Sequence, residues 1–560
     1  MSAPKALAND ILRKYRTRAS AAARIAIALS LASALLSGCT RLSSSTPGGR
    51  HPWTRPHVLR LADVAGPDSL NPLLSTMDLS YDLSSLLFSY LIVAGRSGAL
   101  QGDLAISVPS VANGGISRDG RTYVYRLRAG VRWHDGVPLT SRDVAFSWRA
   151  IMSPHNNVLH REGYEEVSTL ATPDARTVVV RLRRRYPPFV TQFFTTLQEG
   201  AKPIVPEHVL GRLESIGNAP FNAHPIGSGP FRFVRWDRGT RIVLARNEQF
   251  FAGRSKLDRI ELTIVSDENT VMTLMRTHAI DMPVSTSPLA WHLFQGVPGV
   301  RARLDPWNSQ MVLALNNARP ALRDPAIRQA VAAAIDYGAL IEKLTYGSGE
   351  RASDVVAPSS LGYANNAPYA HDPSRARALL DTAGWHVGDG GVRAKNGVPL
   401  DLVMVIAAKG TAPFYAVQLQ RMLHDVGIRV TVKTYPYNGV YAYDGPIVTG
   451  NYDLAIYANT LPYDPDRTST LSCDQFTPKG ENEVHFCAPA VDALERAGLR
   501  TDDPAQRGRI YRQAGRLIYA ATPYIALLAQ RRPAIANDDL RGYDPSPVAA
   551  PWWNANTWDI

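Results

Sequence analysis

Only three cysteines occur in 560 residues, at positions 39, 473 and 487. That is too few for a disulfide scaffold. No Cys-x-x-Cys pair or histidine pair at zinc spacing stands near them, so no metal site is expected. Long apolar runs are also missing. Past residue 36 no segment approaches the ~18 apolar residues that a membrane-spanning helix requires. There is no Gly-x-Ser-x-Gly elbow, no His-Glu-x-x-His pair and no Ser-x-x-Lys with its partner motifs. Gly227-Ser228-Gly229 imitates a phosphate loop, but Pro230 removes a needed N–H and no Gly-Lys-Ser/Thr follows. Enzymatic activity, catalytic residues and a bound cofactor are therefore not expected. Nor does the chain carry a large charge of one sign after its N-terminal segment. The net charge is +12, and residues 1–38 hold six bases against one acid, which leaves +7 for the remainder. The densest basic cluster, Arg181 to Arg185, follows Val178-Val179-Val180 and reads as the end of a strand, not as a nucleic-acid patch.

What is present begins with a leader. Lys5, Arg13, Lys14, Arg16, Arg18 and Arg24 precede an apolar stretch over 25–36, which ends in Leu36-Ser37-Gly38-Cys39. This stretch is too short to cross a ~30 Å hydrocarbon core. The four residues resemble a bacterial lipobox. The resemblance implies a signal peptide over 1–38, cleavage before Cys39, lipid on its sulfur, and a protein held outside the cytoplasmic membrane by that lipid. Residues 39–57, rich in Ser, Pro and Gly, read as a flexible tether. In an oxidising compartment the remaining pair, Cys473 and Cys487, is expected to form a disulfide, the alternative being two free thiols.

The body alternates strand and helix patterns, punctuated by 40 prolines and 41 glycines. Residues 122–127, 177–182, 241–245 and 428–432 read as strands. Thr140 with Asp143 three positions later opens a helix running to Met152. Residues 324–344 and 414–426 read as amphipathic helices, with Ile327, Val331, Ala334 and Ile335 on one face of the first. His134-Asp135-Gly136 reads as a turn, and Asp336 as a capping or surface carboxylate. A mixed α/β protein of several domains follows.

Five phrases then occur in a fixed order. Val131-Arg132-Trp133-His134-Asp135-Gly136-Val137-Pro138-Leu139-Thr140 leads into Asp143-Val144. Gly227-Ser228-Gly229-Pro230-Phe231 leads into Arg246-Asn247-Glu248. Arg328-Gln329-Ala330 precedes Ala334-Ile335-Asp336. Asp372-Pro373-Ser374-Arg375-Ala376 precedes Ala383-Gly384-Trp385. Tyr452-Asp453-Leu454-Ala455 comes last. Together they resemble the family 5 extracellular solute-binding proteins, the dipeptide, oligopeptide and nickel receptors of ABC importers.

The resemblance implies a type II periplasmic-binding-protein-like α/β fold, with two lobes made of three subdomains closing about a hinge. Domain I would comprise 58–100, 225–304 and 511–560, domain II 101–224, and domain III 305–510. The chain would cross between lobes near Asp305-Pro306-Trp307-Asn308 and near Tyr511. The implied partners are a small solute, chiefly an oligopeptide, and the permease subunits of an ABC transporter. The implied protein acts as a monomer and binds no nucleic acid. Cleft residues carried over by the resemblance are Thr76, Met77 and Asp78 after Ser69-Leu70-Asn71-Pro72, then Trp307, Asn308 and Gln310 at the hinge, and Asn459, Thr460, Leu461, Tyr463 and Asp464 in the loop after Asp453. One departure stands out. Peptide receptors of the family carry a domain III aspartate that pairs with the peptide ammonium, and the matching position here falls on Leu461 or Pro462. Asp464 or Asp78 would have to supply that charge. A sugar, an opine or a metal chelate stays open as ligand, as does a scaffold role at the surface.

Overall fold

The computed structural model describes residues 49–560, other than 76, 159–160, 198–200, 409, 443 and 549–551. Cys39 and Thr76 lie outside the described residues. The chain divides into two units, Met1–Trp53 and Thr54–Ile560. In the first, the rings of His51 and Trp53 stack with centroids 4.4 Å apart. The second carries the fold.

Its first sheet has five strands in the order Met282–Pro283, Val58–Asp63, Arg259–Ile264, Arg241–Arg246, Phe231–Asp237. Val58–Asp63 pairs in parallel with both neighbours, and the other contacts are antiparallel. One face packs into a large core that includes Leu59, Leu61, Ile260 and Leu262. On the other face, Ala62 meets Val271, Met275 and Phe294 of two short helices. A three-stranded antiparallel sheet, in the order Thr122–Arg126, Thr177–Leu182, Val167–Asp174, shares the large core through Tyr123, Tyr125, Val178 and Val180. Residues at every second position point inward, as a sheet buried on one face requires. The anticipated helix is Ser141–Met152, and the Thr140 N–H donates to Asp143 Oδ2 at 2.8 Å.

Two of the family phrases are bolted together here. His134 Nδ1 accepts from the Gly227 N–H, and its Nε2–H donates to the Gly229 carbonyl, each at 3.1 Å. Desolvation lowers the His134 ring to about 4, so it stays neutral at pH 7 and serves as a clamp. The clamped loop presses on the end of the helix Asp78–Leu87. A Cβ on Gly227 would stand 1.7 Å from the Leu87 carbonyl oxygen, so only glycine fits.

The second lobe is built on another five-stranded sheet, in the order Arg429–Tyr435, Asp401–Ala407, Leu454–Thr460, Val300–Leu315, Tyr524–Asn537. Both faces are covered. Met404, Ile406, Leu454 and Ile456 enter one core, while Val405, Ala407 and Ala455 enter another on the opposite side. Such strands read as continuous apolar runs instead of alternating ones.

Two long strands join the lobes. Val300–Leu315 begins beside Ala62 and Ile535, and its second half, from Met311, enters the core of the second lobe. Its antiparallel partner Tyr524–Asn537 runs back the other way, with Ile525 and Leu528 in the second lobe and Ala534 and Ala536 in the first. The pairing register slips between Asp305 and Ser309, at the first anticipated crossing. The second crossing corrects the expectation. Tyr511 sits inside an uninterrupted helix, Pro504–Ala521, whose Ile518 belongs to the second lobe, so the chain returns at 529–533, not near Tyr511.

A second correction concerns 324–344, which is two helices, Pro325–Ala334 and Tyr337–Thr345. Ile335 is extended, and the Asp336 carboxylate accepts from the Ala339 N–H at 2.9 Å, starting the second helix. Cys473 and Cys487 are joined by a disulfide, their Cα atoms 4.5 Å apart.

Candidate functional site

Where the lobes meet, a cavity of about 380 Å³ lies between them. Its walls come from seven separate stretches of chain. Asp78, Tyr81 and Asp82 form one stripe of the helix Asp78–Leu87, at positions i, i+3 and i+4, while Leu79, Leu83, Leu86 and Leu87 bury the opposite side. Thr196, Leu197, Ala201 and then Val284, Ser285 and Thr286 complete the wall of the first lobe. Trp307 and Asn308 come from the first joining strand, and Arg532 and Pro533 from the second. Thr460, Leu461 and Tyr463 close the cavity from the second lobe, and Ser546, Pro547 and Val548 from the C-terminal segment.

Of the expected site residues, Asp78, Trp307, Asn308, Thr460, Leu461 and Tyr463 therefore come together. The Leu461 N–H donates to the Asn308 carbonyl at 2.8 Å, which ties the domain III loop to the crossing strand. Tyr463 reaches across the cavity mouth and packs with Ala94, Leu197 and Val548 of the first lobe.

Four expected residues stand outside the wall. Met77 occupies the N-cap position of the helix and is not among the residues lining the cavity. Gln310 is buried in the second lobe, where its Nε2 donates to the Asp354 carbonyl at 3.0 Å. Asn459 is its cross-strand partner. Asp464 is taken up by Arg507, whose guanidinium donates to both of its oxygens at 3.0 and 2.8 Å. Asp464 is thus held in an ion pair within the second lobe and does not line the cavity.

The wall residues that the sequence did not indicate include Tyr81 and Asp82, which the helical period from Asp78 would have found. Arg532, Ser285 and Ser546 have no local signal, because they meet only through the long-range return of the chain.

The electrostatics of the cavity centre on Asp82. Burial pushes its carboxyl up to about 7, Arg532 opposes the rise, and Asp78 and Asp63 add to it. The Arg532 guanidinium lies over the Trp307 ring, 5.1 Å from its centroid. Among the described residues lining the cavity there is no histidine, cysteine or lysine.

Two α/β lobes joined by a pair of strands, with a mixed-polarity cleft between them, define a protein that captures a small solute. Residues 101–479 match the family described as bacterial extracellular solute-binding proteins, family 5, and the chain belongs to that family. Among curated proteins it is similar to protein XP55 of Streptomyces lividans, at 29% identity over 88% of each chain. It is also similar to the oligopeptide-binding protein AppA of Bacillus subtilis, at 24% identity over 93% of this chain and 96% of that one. Among solved structures, NikA from Brucella suis in complex with Fe(III)-EDTA superposes with a TM-score of 0.78, at 22% identity, over 90% of this chain and 99% of that one. AppA of Bacillus subtilis in complex with a nonapeptide gives 0.73 at 23% identity, over 90% and 99%. These likenesses establish the type II periplasmic-binding-protein fold. Among the described residues no helix is long and apolar enough to cross a membrane.

Proposed function

We propose that this chain is the receptor component of an ABC importer, working outside the cytoplasmic membrane as a monomer without catalysis. It captures a peptide or peptide-like solute between its lobes and delivers it to the permease subunits. The observation that carries this reading is the cleft cavity built from both lobes and both joining strands. Closing such a cleft desolvates the ligand and converts occupancy into a shape that a transporter can recognise. The names of relatives such as the oligopeptide-binding AppA support the peptide class. The cavity volume lies at the low end of the ~300–1,000 Å³ typical of small-molecule sites, which favours a short solute.

The experiment is a thermal-shift screen of tripeptides, disaccharides, opines and nickel chelates. A hundredfold excess over Kd stabilises the folded state by about 2.7 kcal/mol. A shift with tripeptides is the expected result. A shift with another class alone would replace the peptide assignment, and no shift with any would remove the receptor assignment.

The anchor is proposed to be lipid on Cys39, supported by the Leu36-Ser37-Gly38-Cys39 sequence behind a basic and then apolar segment. Fatty-acid labelling of the wild type and not of Cys39→Ala is the expected outcome, and equal labelling of both would overturn it.

A further inference from the structure

We propose that the solute carries an ammonium group and that the first lobe holds it, through Asp78 and Asp82, instead of the domain III loop of the second. The inference rests on the peptide reading above and names the group by which that peptide is recognised.

Among the described residues lining the cavity, the second lobe contributes no carboxylate. Its wall residues are Thr460, Leu461 and Tyr463, and the nearby Asp464 is committed to Arg507. The first lobe offers two. Asp78 and Asp82 are one helical turn apart and both line the cavity. Like charges at this spacing on a helix repel and destabilise it. Asp78, in the first turn, gains from the helix dipole, and Asp82 does not. Neither carboxylate accepts a hydrogen bond or lies within 4.0 Å of a base among the described residues. Asp63 adds a third negative group behind them, its carboxylate accepting from the Val64 N–H at 2.7 Å. Against these three acids the described residues of the cavity wall hold one base, Arg532.

The half-buried Asp82 and the exposed Asp78 face the cavity with a single guanidinium, Arg532, in its described wall, which leaves an excess of negative charge that a ligand cation completes. Burial disfavours the ionised form of Asp82 in the empty cavity, and a bound ammonium would favour it again. Arg532, held over Trp307, has donors left for an acceptor on the same ligand, such as the first peptide carbonyl. A solute that is cationic at one end and rich in acceptors next to it fits this wall. A neutral sugar leaves the carboxylates desolvated and unpaired, and an anionic chelate meets them with like charge.

The test uses the mature chain and a tripeptide library in two forms, free and des-amino. In the des-amino form a propionyl group replaces the first alanine, so that the ammonium is lost with no added bulk. Calorimetry is expected to give free peptides a roughly ten- to hundredfold lower Kd, the equivalent of one charge-assisted hydrogen bond. Asp82→Asn and Asp78→Asn should each shrink that ratio, chiefly by raising the Kd of the free peptide. Equal Kd values for the two forms on the wild-type protein would overturn the proposal while leaving peptide binding intact. So would a ratio undiminished in both variants. Should one variant fail to fold, the wild-type comparison and the other variant still decide. Binding of neither form, beside clear binding of a nickel chelate or disaccharide, would instead overturn the peptide reading itself.

Discussion

Arg507 holds both carboxylate oxygens of Asp464, and the two side chains are only 7% and 10% exposed. Burial alone would depress the Arg507 guanidinium, but the Asp464 carboxylate beside it raises it instead. The pair joins the end of the domain III loop to the helix Pro504–Ala521 and so fixes where Tyr463 emerges toward the first lobe.

Replacing Asp464 with Asn keeps the volume and leaves a buried guanidinium uncompensated. The expected cost is about 3–5 kcal/mol of stability, read as a lower urea midpoint with an unchanged slope. The ratio of free to des-amino peptide affinity should stay as in the wild type. A fall in that ratio with normal stability would return Asp464 to the ligand.

The affinity for free peptides should depend on pH in a bell. Burial puts the Asp82 carboxyl at about 7, so the ionised partner of an ammonium becomes available as pH rises through 7. Above ~8 the peptide amine loses its proton and affinity falls again. The titratable groups that interact with Asp82 are Asp78, Asp63 and Arg532, with the phenols of Tyr90 and Tyr543. Without ligand the sign is opposite. A carboxyl raised from 3.8 contributes stability that is full below pH ~4 and is lost as pH rises through 7. Calorimetry from pH 5.5 to 9 checks this, with Asp82→Asn expected to lose the rising limb.

Arg185 and Asp502, 317 positions apart in sequence, form an ion pair between the lobes, with Arg185 Nε 2.9 Å from Asp502 Oδ2. Their side chains are 37% and 17% exposed, so the contact is screened and is worth at most ~1 kcal/mol. Since it forms only when the lobes meet, Arg185→Ala should weaken ligand binding up to about fivefold at low salt, with the effect fading at high salt. An effect on urea midpoint without one on affinity would mean that the pair only stabilises one lobe.

The parts of the fold that the sequence announced are those with local causes. The Thr140–Asp143 box, the Gly136 turn and the half-buried strand Thr122–Arg126 each follow from a few adjacent residues. The break at Ile335-Asp336 was hidden because the apolar face continues across it, and only the capping role of Asp336 betrays it. The return crossing was misplaced by some twenty residues, because the apolar run through Ile525 and Leu528 carries no mark of where one core ends and the next begins. The same holds for the site. Asp78 was within reach of a sequence pattern, while Arg532 faces it only because an antiparallel pair of strands brings residues from both joining segments to one wall.

The most direct measurement is small-angle scattering of the mature chain with and without the tightest-binding free tripeptide. The liganded profile should match the closed arrangement, with Tyr463 packed against Val548 and Arg185 on Asp502, and the unliganded protein should show a larger radius of gyration. Superimposable profiles at saturating peptide would contradict capture between closing lobes.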